Sequence, residues 1–300
     1  MSITQGPMVV RRRLGAALKR LRGERGLPLD AVARQLEISP SKLSRLETGQ
    51  VAPRIRDVRD LLEIYEAPTD VRTRALAWAD QAKEPGWWQP FSAAIPADLD
   101  MYISLEAEAE RITMYSVPIS GLLQTERYAR ALLAGSAPHT TPEQLDRLVE
   151  IRMRRQLVLD RSRPDAPPVD LHVVLDEASL RRCTSAQVMR EQVDELITRS
   201  HWPNVTLQVL PFDAGYVTAS STFAIFEPRE PTDWPVVNVE SSGQDAYFDT
   251  RGDVERYRAM WHDVVGGALD PETSRALLTR LARAGTGSVR SQRGRRTRSS

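Results

Sequence analysis

Cysteine occurs once in these 300 residues, at Cys183, and lysine only three times, at Lys19, Lys42 and Lys83. A single cysteine cannot close a disulfide within the chain, which fits a reducing, cytoplasmic setting. No apolar run approaches the roughly eighteen residues of a membrane span. Residues 1–10 also lack the apolar core of a signal peptide, so no membrane partner is expected. Phosphate-cradling, dinucleotide-binding, zinc-protease and nucleophile-elbow signatures are all missing. The four histidines, His139, His172, His201 and His262, stand apart with no ligand spacing. Neither a catalytic residue, a metal site nor a cofactor is therefore expected. Asp176 and Glu177 are the one adjacent carboxylate pair that invites an acid/base reading. Neighbouring side chains point apart, however, and acids at a helix start are favoured by the helix dipole.

What the chain has in quantity is arginine, 38 of its 41 basic residues. Such a bias reads as GC-rich coding, which weakens any single arginine as a functional signal. The net charge of +1 conceals an uneven distribution. Residues 1–83 carry 16 basic and 10 acidic side chains, residues 84–284 carry 20 and 30, and residues 285–300 carry five arginines and no acid. A basic N-terminal part beside an acidic remainder predicts that the first part meets a polyanion. The last sixteen residues have almost nothing apolar to bury and are expected to be disordered.

From 11 to 82 the apolar spacing predicts five short helices. Leu14, Ala17, Leu18 and Leu21 stripe the first, which Gly26 ends, and Pro28 opens the next, striped by Leu29, Val32, Ala33 and Leu36. Ser39-Pro40 is a hydroxyl cap followed by a first-turn proline, starting a third helix with Leu43 and Leu46 inward and Gly49 at its end. Val58, Leu61, Leu62 and Tyr65 stripe the fourth, and residues 71–82 make a fifth. Only residues 37–39 join the second and third helices, which is the spacing of a helix-turn-helix whose second member enters the major groove. Opposite Leu43 and Leu46 stand Ser41, Ser44, Arg45 and Thr48, short or fork-shaped side chains suited to base edges. Lys42, Arg54 and Arg56, with Arg12 and Arg13, are the expected phosphate contacts.

The stretch from Leu18 to Pro53 resembles the Xre-type (Cro/repressor-like) DNA-binding domain, through Arg22 to Gly26, the Val32-Ala33 pair, and the run of Ser39, Leu43, Ser44, Arg45, Leu46, Glu47 and Gly49. The resemblance implies double-stranded DNA as partner. It also implies an internal ion pair between Arg22 and Glu47 that ties the first helix to the third. Three positions depart from the pattern: Glu37 where glycine is frequent, Leu29 where a phosphate-contacting glutamine is frequent, and Pro40 where a base-contacting residue is common. Fewer direct base contacts leave more of the recognition to DNA shape.

Residues 84–100, with three prolines and Trp87-Trp88, read as a linker whose tryptophans pack on the larger domain. Beyond it, residues 103–115, 122–133, 141–161, 186–199, 251–264 and 271–283 read as helices. Residues 169–175, 205–210, 222–226 and 236–239 read as strands, with Asp176 capping a short helix. The expected fold is α+β: an all-α five-helix domain over 11–83, then a mixed α/β domain over 101–284 with a small sheet flanked by helices. Residues 1–10 and 285–300 are expected to be disordered. Arg152, Arg155 and Gln156 share a helical face and are expected to pair in a buried polar network with Asp176, Glu177 or Glu240.

This larger region is similar to a C-terminal domain of many actinobacterial Xre-type regulators, through Leu105 to Leu133, Arg152 to Leu159, Val173 to Arg182, Leu207 to Gly215 and Val236 to Ser241. Ser120 stands where that family usually has proline. The resemblance implies a small, adjacently encoded partner protein and an antitoxin-like association. Two main functional readings follow, beside a third in which the larger domain is a degenerate or undetected enzyme. The leading one is a homodimeric, operator-binding transcriptional regulator whose acidic domain receives a protein or small-molecule signal. The alternative is an antitoxin-like protein whose main role is binding the small partner.

Overall fold

The computed structural model describes residues 7–83, 86–88, 97–136, 140–162, 167–182, 185–230, 234–241 and 245–284. Residues 1–6, most of the expected linker, His139, Cys183 and the basic tail 285–300 lie outside the described residues. Contacts divide the chain into two units, one of Met1–Ile112, Asp160–Val169 and Ile225–Val254, the other of Thr113–Leu159, Asp170–Ala224 and Glu255–Ser300.

The first unit opens with five helices: α1 (Pro7–Glu24), α2 (Leu29–Gln35), α3 (Pro40–Glu47), α4 (Ile55–Ile64) and α5 (Thr69–Gln81). Helix α1 begins at Pro7, inside the segment expected to be disordered, because Val9 and Val10 are buried and hold it. Leu14, Leu18, Val32, Leu43, Leu61 and Tyr65 meet in one core, the apolar stripes converging as their 3.6-residue period requires.

Four of these helices end alike. After α1, Leu27 N–H donates to the Arg22 carbonyl and Gly26 N–H to that of Gly23, at 3.1 and 3.0 Å. After α2, Ile38 donates to Ala33 and Glu37 to Arg34; after α3, Gln50 to Arg45 and Gly49 to Leu46; after α4, Ala67 to Leu62 and Glu66 to Glu63. These are Schellman motifs, which need one residue in the left-handed region. Gly26 (φ 63°) and Gly49 (φ 72°) occupy it easily, whereas Glu37 (φ 53°) and Glu66 (φ 48°) do so with a Cβ.

The unit continues through α6 (Ala97–Glu108) into β1 (Ala109–Ser116), where the sequence suggests one helix over 103–115. Leu105–Glu108, unbranched apart from leucine, favours helix, while the β-branched Ile112 and Thr113 favour strand, so the preference changes inside the expected element. Trp88 is buried, as expected of a packed aromatic, and its indole N–H donates to Asp100. Strands β4 (Phe223–Pro228), β5 (Val236–Val239) and β6 (Ala246–Phe248) belong largely to this unit. β5 and β6 pair antiparallel, Val237 opposite Phe248. The three-residue β6 is too short to leave a periodic signal in the sequence.

The second unit holds α7 (Glu126–Ser136), α8 (Pro142–Arg155), β2 (Asp170–Asp176), α9 (Ala186–Arg199), β3 (Val205–Leu210), most of α10 (Arg251–Gly267) and α11 (Pro271–Ala284). Thr141 and Gln144 close a capping box on α8. β2 and β3 run parallel, Val173 opposite Leu207. The buried apolar residues Val173 to Leu175 and Leu207, Val209 and Leu210 match strands covered on both faces, with the polar side chain of Gln208 bonded to His172 and the Leu269 carbonyl. Strand order is β3-β2-β1-β4-β5-β6. At the β3 edge, Val209 N–H donates to Ser274 Oγ and its carbonyl accepts from Leu269, at 3.0 and 2.9 Å, so α11 covers groups that would otherwise template another strand.

Candidate nucleic-acid interface

Helix α3 is short and held at both ends. Ser39 Oγ accepts from Lys42 N–H at 3.2 Å, and Pro40 fills the first turn. Leu43 and Leu46 are buried on one side, whereas Ser41, Ser44, Arg45 and Thr48 are all exposed on the other. Arg45 Nε donates to the Ser41 carbonyl at 3.3 Å, which lays the exposed side chain back along the helix. Thr48 Oγ1 donates to the Ser44 carbonyl at 2.9 Å and keeps its lone pairs for a donor outside. The four base-reading candidates thus form one surface.

Behind that surface, Arg22 donates from Nε and Nη2 to the two Glu47 oxygens at 2.7 and 2.9 Å, and from Nη1 to the Leu27 carbonyl at 2.9 Å. The hydrogen bond that Arg22 donates to Glu47 holds its guanidinium above the ordinary value, against the opposing effect of burial. Tyr65 joins as a third member, its hydroxyl 3.4 Å from Glu47 Oε1. Burial, then the Glu47 charge, pushes the Tyr65 phenol well above the usual range. In the sequence Tyr65 is only part of an apolar stripe; a tyrosine ending such a stripe is the sole hint that its hydroxyl has a buried partner. Gly15 of α1 lies directly under the end of α3: a Cβ there would sit 2.6 Å from the Glu47 carbonyl oxygen.

The phosphate candidates separate into two groups. Arg54 and Arg56 are exposed at the start of α4, beside α3. Lys42 is held by Asp57 at 2.7 Å and remains partly exposed. Arg12 and Arg13 correct the expectation. Arg13 is nearly buried, facing Glu108 at 3.6 Å with its guanidinium 5.8 Å from the Trp78 ring centre, and Arg12 pairs with Asp249. A basic run at a domain's start reads as a phosphate clamp until tertiary packing supplies carboxylates for it. Arg11 is drawn inward too, donating to the Ala82 carbonyl, and burial pushes its guanidinium below the ordinary value.

The expected polar network is also rearranged. Gln156 Nε2 donates to the carbonyls of Gly121 and Gln124 at 3.0 and 2.7 Å, and Arg152 donates to Gln124 Oε1 at 3.1 Å. Gln192 donates to the Leu123 carbonyl at 2.7 Å and accepts from Thr125 N–H at 2.8 Å. Buried glutamines satisfy the irregular backbone of residues 119–125, which has no ladder of its own. Arg155 is buried in the same helix. The two β2-end carboxylates are engaged elsewhere. Asp176 accepts from the Tyr115 hydroxyl and from Ala178 N–H, both at 2.8 Å. Glu177 accepts from Arg181 at 2.7 Å and Phe212 N–H at 3.1 Å. Burial raises the Glu177 carboxyl, but these donors outweigh it and leave it below the ordinary value. Glu240 falls in the other unit.

Among the described residues no group of three or more His, Cys, Asp or Glu could hold a metal, and no helix is long and apolar enough to cross a membrane.

Two helices joined by a tight turn, the second exposing a polar reading face, define a helix-turn-helix protein. Residues 13–76 match a family described as a helix-turn-helix domain. Residues 99–280, more than half of the chain, match the domain of unknown function DUF5753, and the chain belongs to that family. No curated protein matches the chain, and no solved structure does. The helix-turn-helix supports a DNA-binding regulator, and the six-stranded sheet flanked by helices is the mixed α/β part expected from the sequence.

Proposed function

We propose that the chain is an Xre-type, sequence-specific transcriptional regulator that binds operator DNA as a homodimer in the cytoplasm and performs no catalysis. The observation that supports it is the two-sidedness of α3. Leu43, Leu46 and Glu47 are buried, and Ser41, Ser44, Arg45 and Thr48 are presented together. A polar face built only of short hydroxyls and one guanidinium fits the major groove, where Arg45 can meet the N7 and O6 acceptors of guanine. Arg54, Arg56 and Lys42 flank it as sequence-independent phosphate contacts.

A helix of eight residues reads only a few base pairs. Two copies on a two-fold axis double the site and place half-sites about 34–36 Å apart. The larger domain, on this reading, receives the signal that sets DNA affinity. The test is selection of bound duplexes from a random pool by the full chain, repeated with Arg45→Ala. A palindromic motif that loses one base preference in the variant supports the assignment. Absence of any enriched motif, or an identical motif from the variant, overturns it.

A further inference from the structure

A cavity of about 590 Å³ lies within the first unit, inside the roughly 300–1,000 Å³ range of small-molecule sites. Its walls are apolar and aromatic: Trp78 of α5, Leu105 of α6, Phe226 of β4 and Trp234 ahead of β5. Trp234 is 49% exposed, an indole face left without apolar cover. The charge on the lining is one-sided, with Arg12, Arg13, Lys19, Arg20 and Arg74 against Glu108 and Asp249. Arg12 and Arg13 are neutralised by those two carboxylates. Among the described residues, Arg20 and Arg74 meet only exposed carboxylates of their own helices, Glu24 at 3.8 Å and Asp70 at 3.1 Å. Solvated pairs of that kind are worth little and release a guanidinium readily.

We propose that this cavity is an effector site for a small organic anion, an apolar aromatic body ending in an acidic group, whose occupancy is transmitted to α3 through α1. The aromatic walls take the body, and Lys19, Arg20 and Arg74 take the anionic end. The same excess of positive charge disfavours the chain's own arginine-rich C-terminal residues as the occupant. Transmission follows from the two faces of α1. Arg12, Arg13 and Ala16 line the cavity. On its α3-facing side, a Cβ on Gly15 would lie 2.6 Å from the Glu47 carbonyl, and one on Gly49 would lie 2.7 Å from the Arg12 backbone. Backbone touches backbone at both points with no side chain to absorb a shift, so a ligand that displaces α1 displaces the reading helix. Only this second half rests on the DNA-binding reading.

The experiment uses the full chain with anilinonaphthalene sulfonate, an apolar aromatic anion, and its uncharged parent phenylnaphthylamine, both followed by fluorescence. Saturable one-to-one binding of the sulfonate is expected, about ten-fold tighter than the uncharged compound, a difference near 1.4 kcal/mol. Ala16→Trp, on an exposed helix position, fills the cavity and should abolish binding; Trp234→Ala should weaken it about ten-fold, by the same conversion. Tyr216→Ala, at an exposed aromatic outside the cavity, should leave it unchanged. Equal affinity for the two probes, undiminished binding in both cavity variants, or loss in Tyr216→Ala overturns the site. For the coupling, the sulfonate should shift affinity for the selected operator, and the operator should shift sulfonate affinity by the same factor. Cavity binding with unshifted operator affinity overturns transmission alone. Sulfonate binding by a chain that selects no DNA overturns the proposed function and leaves the site standing.

Discussion

Arg22 and Glu47 lie 25 positions apart in sequence and meet through two parallel hydrogen bonds of 2.7 and 2.9 Å. Their exposures differ: the Glu47 side chain is 2% accessible and that of Arg22 17%. The difference sets the consequence of removing either one. Arg22→Ala strands a carboxylate that, among the described residues, keeps only the Tyr65 hydroxyl beside it, and should cost about 3–5 kcal/mol. Glu47→Ala leaves a guanidinium that reaches water and still holds the Leu27 carbonyl, so its cost should be smaller, about 1–3 kcal/mol. Denaturant unfolding of both variants checks the order; a costlier Glu47→Ala would refute it.

The arginines near the interface should divide by salt dependence. Arg45→Ala is expected to lose roughly 1–3 kcal/mol of base discrimination at one position. Arg54→Ala should weaken all sequences alike and reduce the salt slope by about one unit. Arg13→Ala should leave that slope unchanged, because its side chain faces Glu108 and Trp78. Titrations at several salt concentrations separate the three.

Two helix ends carry strain that can be relieved. Glu37→Gly and Glu66→Gly remove a Cβ from the left-handed region, where L-residues lose about 1–2 kcal/mol, and each should stabilise the fold after the entropy cost of glycine. Gly49→Ala goes the other way, placing a Cβ 2.7 Å from the Arg12 backbone at φ 72°. Thermal melts that rank Gly49→Ala above the wild type would contradict the geometry.

Acid should loosen the second unit through Glu177. Its carboxyl lies below the ordinary value of 4.5, held down by Arg181 and Phe212 N–H against burial. A depressed folded value means stability that is full above 4.5 and lost as pH falls through the folded value. Glu177→Gln should therefore flatten stability against pH below that point while lowering it at neutrality. Superimposable acid limbs for the two proteins would exclude Glu177 as the source.

Dimerisation has its own measurement. Sedimentation at micromolar concentration with the selected duplex should give two chains per palindrome. One chain on a non-palindromic site would remove the homodimer from the proposal.

The five N-terminal helices and the reading face were legible because each depends on local rules. Apolar spacing sets which side of a helix is buried, and Ser39-Pro40, Gly26 and Gly49 set where helices start and stop. Strands β3 and β5 and helix α9 were equally legible, each a single period bounded by turn residues. Tertiary structure decided what local rules cannot address. The helix-to-strand change at Glu108–Ala109 depends on a neighbouring strand to receive Ile112. The fates of Arg12 and Arg13 depend on Asp249 and Glu108, hundreds or scores of residues away. Gln124, Gln156 and Gln192 become a clamp only because the 119–125 backbone passes between α8 and α9. The cavity is likewise drawn from segments remote in sequence, from Val9 to Thr250. Periodicity records which face of an element is buried; it carries no record of which distant group will be on the other side.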